Sequence, residues 1–252
     1  MSTCGGASSR PPDPWSRVDS APGFQSDAGR SSSAVDSAVC LAGNTLGHRA
    51  HICAFFNGAD EAYRLLLPFI KEGLERGEKA VHTVAPNQYG EHIRRLESAG
   101  IDVPAGRKHD QLELLNWGDT HLRGGKFHPD KTLALFEEIV HEAKHKGFRL
   151  IRFVTQMEWV LETDMDLNDL LEYEAKANHV WLGHEGPVNP VVCTYDLRRF
   201  RGDVVVDIMR THPMVIIGGI LQDNPFFVAP EALLKEFRER PAKVKLRHAS
   251  RA

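Results

Sequence analysis

The chain has 252 residues, 42% of them hydrophobic and 26% charged, with a formal net charge of −3. That composition suits one sizeable domain with or without a tail, and the missing basic excess gives no support to nucleic acid or an anionic membrane surface as partner. No apolar run reaches the roughly 18–20 residues a bilayer span needs, and the N-terminus lacks the basic-then-apolar order of a secretory signal.

Residues 1–48 carry ten serines and the clusters "RPPDP" and "SAPGF". Such a segment buries too little to offset its ordering entropy, so a disordered tail is expected. From His51 the pattern becomes regular. "HICAFF" is a short apolar run stopped by Asn57-Gly58, the signature of a buried strand. A helix follows over 60–77, with Ala62, Leu65, Leu66, Phe69, Ile70 and Leu74 on one face. Asp60 is its expected N-cap, Gly77 its stop and Pro68 a bend. "KAVHTVA" reads as strand two, "NQYGEHIRRLESAG" as helix two and "QLELLNW" as strand three. Helix three is "KTLALFEEIVHEAKHKG", strand four "RLIRFVT" and helix four "DLNDLLEYEAKANHVW". "NPVVCTYD" is strand five, "GDVVVDIMRTH" a short helix, "PMVIIGGIL" strand six and "PEALLKEFRER" a last helix opening on Pro230. Residues 241–252 make a short basic tail. Strands alternating with helices of this length predict an α/β fold over 49–240, a mainly parallel sheet with helices on both faces.

In open α/β sheets ligands bind beyond the carboxyl ends of the strands. That rule selects Phe55, Phe56 and Asn57, then Trp117, then Glu158 and Trp159, then Tyr195, Asp196 and Arg199. Aromatic groups mixed with a few polar ones suit a small-molecule pocket. Phe55, Phe56 and Trp159 are the residue types more often found in plain core, and Asp196 beside Arg198 and Arg199 suits a capping ion pair. His92, His141 and His145 lie among helix charges and are expected on solvated faces. His51 and Cys53 are two apart and share one strand face. Together with Cys193 they could form a metal set, but a buried thiol pair is the preferred reading. The four cysteines contain no Cys-x-x-Cys pair, so no metal is expected and a reducing cytoplasm is. No cofactor is expected either.

Seven segments in order, "HICAFF", "LLPFIKEGLERGEKAVHTV", "VTQMEWVL", "LLEYEAKAN", "CTYDLRRF", "IMRTHPMVIIGG" and "NPFFVAPEALL", resemble the MEDS domain, the sensory domain of DcmR-type regulators in methylotrophs and methanogens. The resemblance covers roughly residues 48–238. It implies sensing of small hydrocarbon derivatives within signal transduction and carries no set of catalytic residues. Positions matching its recurrent motifs are His51, Cys53, Glu158, Trp159, Tyr195, Asp196, Arg199, His212, Pro213 and Asn224. A weaker similarity links "PFIKEGLERGEKAVHTV" to the segment after the phosphate loop of KaiC- and RecA-like ATPases, which implies a three-layer architecture. Here "FNGADEAY" stands where the glycine-rich loop would be. The phosphate lysine is missing, Asp60 and Glu61 oppose an anion, and strand four lacks a terminal Asp for Mg²⁺.

The expected function is therefore a stand-alone, non-catalytic sensor. It would bind a one-carbon or halogenated hydrocarbon derivative and report in trans to a kinase or regulator, or through a homodimer. The expected ligand-binding set is His51, Cys53, Phe55, Phe56, Asn57, Trp117, Glu158, Trp159, Tyr195, Asp196, Arg199 and His212. Two alternatives stand beside it: a degenerate nucleotide-binding or thiol enzyme, and a partner-docking adaptor with a vestigial pocket.

Overall fold

A computed structural model describes residues 39–47, 50–182 and 188–239. The expected basic tail and nearly all of the expected N-terminal tail lie outside these residues. Within them, residues 39–47 depart from the tail reading. Strands β1 (Cys40–Leu41) and β2 (Asn44–Thr45) form a small hairpin, and Leu41 is buried against the first helix layer.

The main sheet holds seven strands: β3 (His51–Phe56), β4 (Lys79–Val84), β5 (Leu112–Asn116), β6 (Ile151–Gln156), β7 (Val191–Asp196), β8 (Met214–Ile217) and β9 (Ile220–Asp223). Their order is β5-β4-β6-β7-β3-β8-β9, parallel throughout except for β9. Every position of β3 and β4 is buried, as interior parallel strands require. The single expected strand over Pro213–Leu221 is in fact the hairpin β8–β9. Gly218 and Gly219 both have positive φ, 58° and 78°, and turn the chain back.

Helices α1 (Ala59–Glu75), α2 (Tyr89–Ser98) and α3 (Val103–Lys108) cover one face. Helices α4 (Pro129–His145), α5 (Leu167–Leu182), α6 (Gly202–Thr211) and α7 (Pro230–Glu239) cover the other. Ile52, Ala54 and Phe56 of β3 belong to the first core, and Cys53 and Phe55 to the second. The strand period of two thus decides which side chains meet. After β4 the chain turns to the α2 face, after β6 to the α5 face. This divergence opens a crevice at the carboxyl end of the sheet.

Helix α1 opens one residue before the expected cap. Gly58 is the N-cap with φ 100° and ψ 174°, and no side chain caps it. Asp60 instead pairs with Arg95 at 2.7 Å. Glu61 Oε2 accepts from the Asn57 N–H at 2.7 Å, so the turn's donor is filled by the chain's own carboxylate. Among the described residues no helix is long and apolar enough to cross a membrane.

Candidate functional site

The crevice beyond β3, β4, β6 and β7 contains a cavity of about 110 Å³ beneath α1. Its apolar wall comes from Phe56, Leu66, Ile70, Val84 and Val154. Gln88, Gln156 and His82 add polar groups, and Glu158, Asp196, Arg198 and Arg199 stand on the β7 side. Gln156 is held in place because its Oε1 accepts from the Ala85 N–H at 2.8 Å.

A buried proton chain runs along the cavity. Tyr63 Oη lies 2.8 Å from His92 Nδ1, and His92 Nε2 lies 3.0 Å from His82 Nδ1. His82 Nε2 is buried without a hydrogen-bond partner among the described residues. Burial, helped by His92, holds His82 well below the usual imidazole range, and burial lowers His92 to about 4. Both rings are therefore neutral at neutral pH, and the cavity offers a polar contact without charge. Burial raises Glu158, whose Oε1 accepts from the Asp196 N–H at 2.9 Å. Asp196 is pushed up by burial, yet the hydrogen bonds and charge of Arg198 leave it net below its usual value.

A second polar cluster lies on the opposite face, in the α5–α6 core. His51, Glu174, Cys193 and His212 are all buried, and their ligating atoms lie within 4.8 Å of one another. Tyr195 connects the two regions. It contributes to the cavity lining, while its hydroxyl donates to Glu174 Oε1 at 2.9 Å.

The profile of one family, MEDS (MEthanogen/methylotroph, DcmR Sensory domain), matches residues 50–213, well over half of the chain. The chain belongs to the MEDS family. It is also similar to the transcriptional repressor DcmR of Methylorubrum extorquens (strain DSM 6343 / CIP 106787 / DM4), 27% identical over 172 residues. That similarity takes in 68% of this chain and 61% of the repressor, so less than two thirds of the relative's length is spanned.

The MEDS fold brings five of the twelve expected ligand residues to the cavity: Phe56, Glu158, Tyr195, Asp196 and Arg199. His51, Cys53 and Phe55 lie in the other core instead, because their positions on β3 face α5 and α6, and His212, at the end of α6, lies there too. Trp159 is core as well, stacked 4.6 Å from His121. Trp117 is buried in that core and donates from Nε1 to the Gln156 carbonyl at 3.1 Å. Asn57 is exposed in the turn. His141 and His145 are exposed as expected, but His92 is buried, which corrects its solvated reading. The residues not foreseen are His82, His92 and Tyr63. A histidine inside the apolar run "KAVHTVA" was the available signal.

Gly58 shapes the mouth of the MEDS cavity. A Cβ there would come within 2.5 Å of the Arg198 guanidinium. Arg198 is exposed and flexible and can move, but the backbone conformation at φ 100°, ψ 174° is open essentially to glycine alone. Gly58→Ala is expected to lower stability by about 1–3 kcal/mol, read as a smaller urea midpoint at unchanged slope. Arg198→Ala should leave stability within about 0.5 kcal/mol.

Proposed function

We propose that this MEDS domain is a non-catalytic sensor of a regulatory system in the cytoplasm. Its ligand is a small, uncharged hydrocarbon derivative of one-carbon or halogenated type, held in the cavity under α1. Occupancy is passed to a signalling partner, a kinase or regulator. The observation that carries this reading is His82: a buried, neutral ring lining an apolar cavity, its Nε2 without a partner among the described residues. A cavity of about 110 Å³ suits a molecule of few heavy atoms, since a dry cavity of roughly 150 Å³ takes up benzene.

The proton chain supports a ligand of either polarity. If Tyr63 donates to His92, then His92 donates to His82, and His82 Nε2 carries a hydrogen. If His92 donates to Tyr63, the sequence reverses and His82 Nε2 presents a lone pair. The same site can thus donate to a halogen or carbonyl oxygen, or accept from a hydroxyl.

Phosphate binding at the α1 turn has less support, because Glu61 already occupies the Asn57 N–H. A reactive thiol has less support too. Burial, with Glu174 nearby, pushes Cys53 well up, away from the thiolate that attack requires.

Thermal-shift measurements against one-carbon and halogenated compounds test the proposal. A compound at a hundredfold excess over its Kd should stabilise the protein by about 2.7 kcal/mol. His82→Leu should abolish the shift while the chain stays folded by circular dichroism. Stabilisation by ATP alone, or by no compound in a broad panel, would count against it.

A further inference from the structure

We propose that His51, Glu174, Cys193 and His212 form a closed four-ligand site for a divalent metal of zinc type. The four come from different elements: β3, α5, β7 and the residue that ends α6. The site is separate from the cavity and does not depend on its ligand.

The hydrogen bonds around the two imidazoles fix their tautomers. Asn178 Nδ2 donates to the Glu174 carbonyl at 3.0 Å and the Thr211 carbonyl at 2.7 Å. Its Oδ1 must then be the atom facing His51 Nδ1, at 3.1 Å, and His51 Nδ1 must carry the hydrogen. His212 Nδ1 lies 3.1 Å from the Ile208 carbonyl oxygen and 2.8 Å from Thr211 Oγ1, whose own hydrogen goes to Ile208 O. Nδ1 is again the protonated nitrogen. In the neutral rings both Nε2 atoms therefore turn lone pairs inward. A second ring N–H tied to a carbonyl-type acceptor is the usual outer shell of a metal-binding histidine.

Among the described residues only the Cys193 thiol, beside His51 Nε2, answers either lone pair. His212 Nε2 and Glu174 Oε2 are buried without hydrogen-bond partners among the described residues. Each Nε2 stands 3.5 Å from Glu174 Oε2, and Cys193 Sγ stands 3.7 Å from His51 Nε2. Ligands at roughly 2.0–2.3 Å from a tetrahedral ion are separated by about 3.3–3.8 Å along the edges, so these spacings fit one ion. A neighbouring void of about 10 Å³ touches His51, Glu174 and Cys193, too small for an organic ligand.

The charge also balances. Two neutral imidazoles, one carboxylate and one thiolate around a divalent ion sum to zero, which removes the penalty of burying Glu174 unpaired. As the ion enters, the Cys193 thiol gives its proton to solvent and sulfur becomes a ligand. Cys53, the partner of Cys193 across the strands, is not part of the set. Its thiol points to the Met214 carbonyl at 3.6 Å. The mixed nitrogen, oxygen and sulfur donors favour borderline ions such as Zn²⁺, and four protein ligands make the role structural.

Cobalt substitution tests the site on the full chain. Protein stripped with a chelator and titrated with Co²⁺ should bind one equivalent. Strong visible bands of tetrahedral cobalt should appear with a near-ultraviolet thiolate charge-transfer band, and Zn²⁺ should bleach both. Cys193→Ser should keep the visible bands and lose the charge-transfer band, whereas Cys53→Ser should change neither. Asn178→Ala, which removes the group positioning His51, should weaken binding on the order of 10–100-fold. Weak octahedral bands only, or a charge-transfer band lost in Cys53→Ser and kept in Cys193→Ser, would overturn the proposal. If stripping unfolds the chain, the native mass of protein made in zinc-supplied medium decides. One bound ion, kept in Cys53→Ser, supports the site, and an ion-free wild type overturns it.

Discussion

Replacing Arg152 by methionine is expected to lower stability by about 3 kcal/mol, the low end for breaking a buried ion pair. The Arg152 side chain is fully buried on β6 beneath the C-terminal half of α1. Its Nε donates to Glu78 Oε2 at 2.5 Å, and Nη1 donates to the Phe69 carbonyl at 2.5 Å and to Glu72 at 3.0 Å. Gly73 has no side chain to hinder it, since a Cβ there would come within 2.5 Å of Arg152 Nε. Loss of the guanidinium strands Glu78, a carboxylate only 9% exposed. Arg76 Nε, 3.2 Å from Glu78, takes up part of the deficit, which is why the low end of the range applies. Adding Glu78→Gln should recover part of the loss, a non-additivity that urea denaturation of the single and double variants reads directly. The consequence reaches the cavity, because this ion cluster holds α1, its outer wall, to the sheet.

Trp159→Ala is expected to cost about 3–5 kcal/mol, and the cause is packing, not ligand loss. The indole is fully buried. It stacks on His121 with ring centroids 4.6 Å apart and meets Phe127 at the same distance. These contacts join the 3-10 turn Met157–Glu162 to the loop before α4. Trp159→Phe should restore most of the stability. Because the ring lies in the α4–α6 core and not in the cavity, Trp159→Phe should leave ligand affinity unchanged. A lost affinity in a folded Trp159→Phe would return this residue to the site.

Interior parallel strands are near-continuous apolar runs, so "HICAFF" and "KAVHTV" announce themselves. The β8–β9 hairpin hid inside one such run, although Gly218-Gly219 is a turn signal within it. Helix α3 was not foreseen between helix two and strand three; Pro104 stands at its start, where it costs no hydrogen bond. Asp102 caps it by accepting from the Ala105 N–H at 2.9 Å.

The strand-end rule reached the β6–β7 side of the cavity, where Glu158, Asp196 and Arg199 follow directly on strands. It could not reach Tyr63 or His92, whose role depends on α1 and α2 packing together over His82. Nor could spacing along the chain bring Glu174 of "LLEYEAKAN" to His51 and His212. Those residues come from three separate elements and meet only in the folded core.

The central claim is that His82 Nε2 receives the ligand. Nitrogen-detected magnetic resonance of histidine-labelled protein measures this directly while a halogenated or oxygenated one-carbon compound is titrated in. The His82 Nε2 resonance should shift saturably, with His92 following through the shared proton chain and His51 and His212 unmoved. Saturable binding that leaves His82 unmoved, or that shifts His51 and His212 instead, would contradict the account.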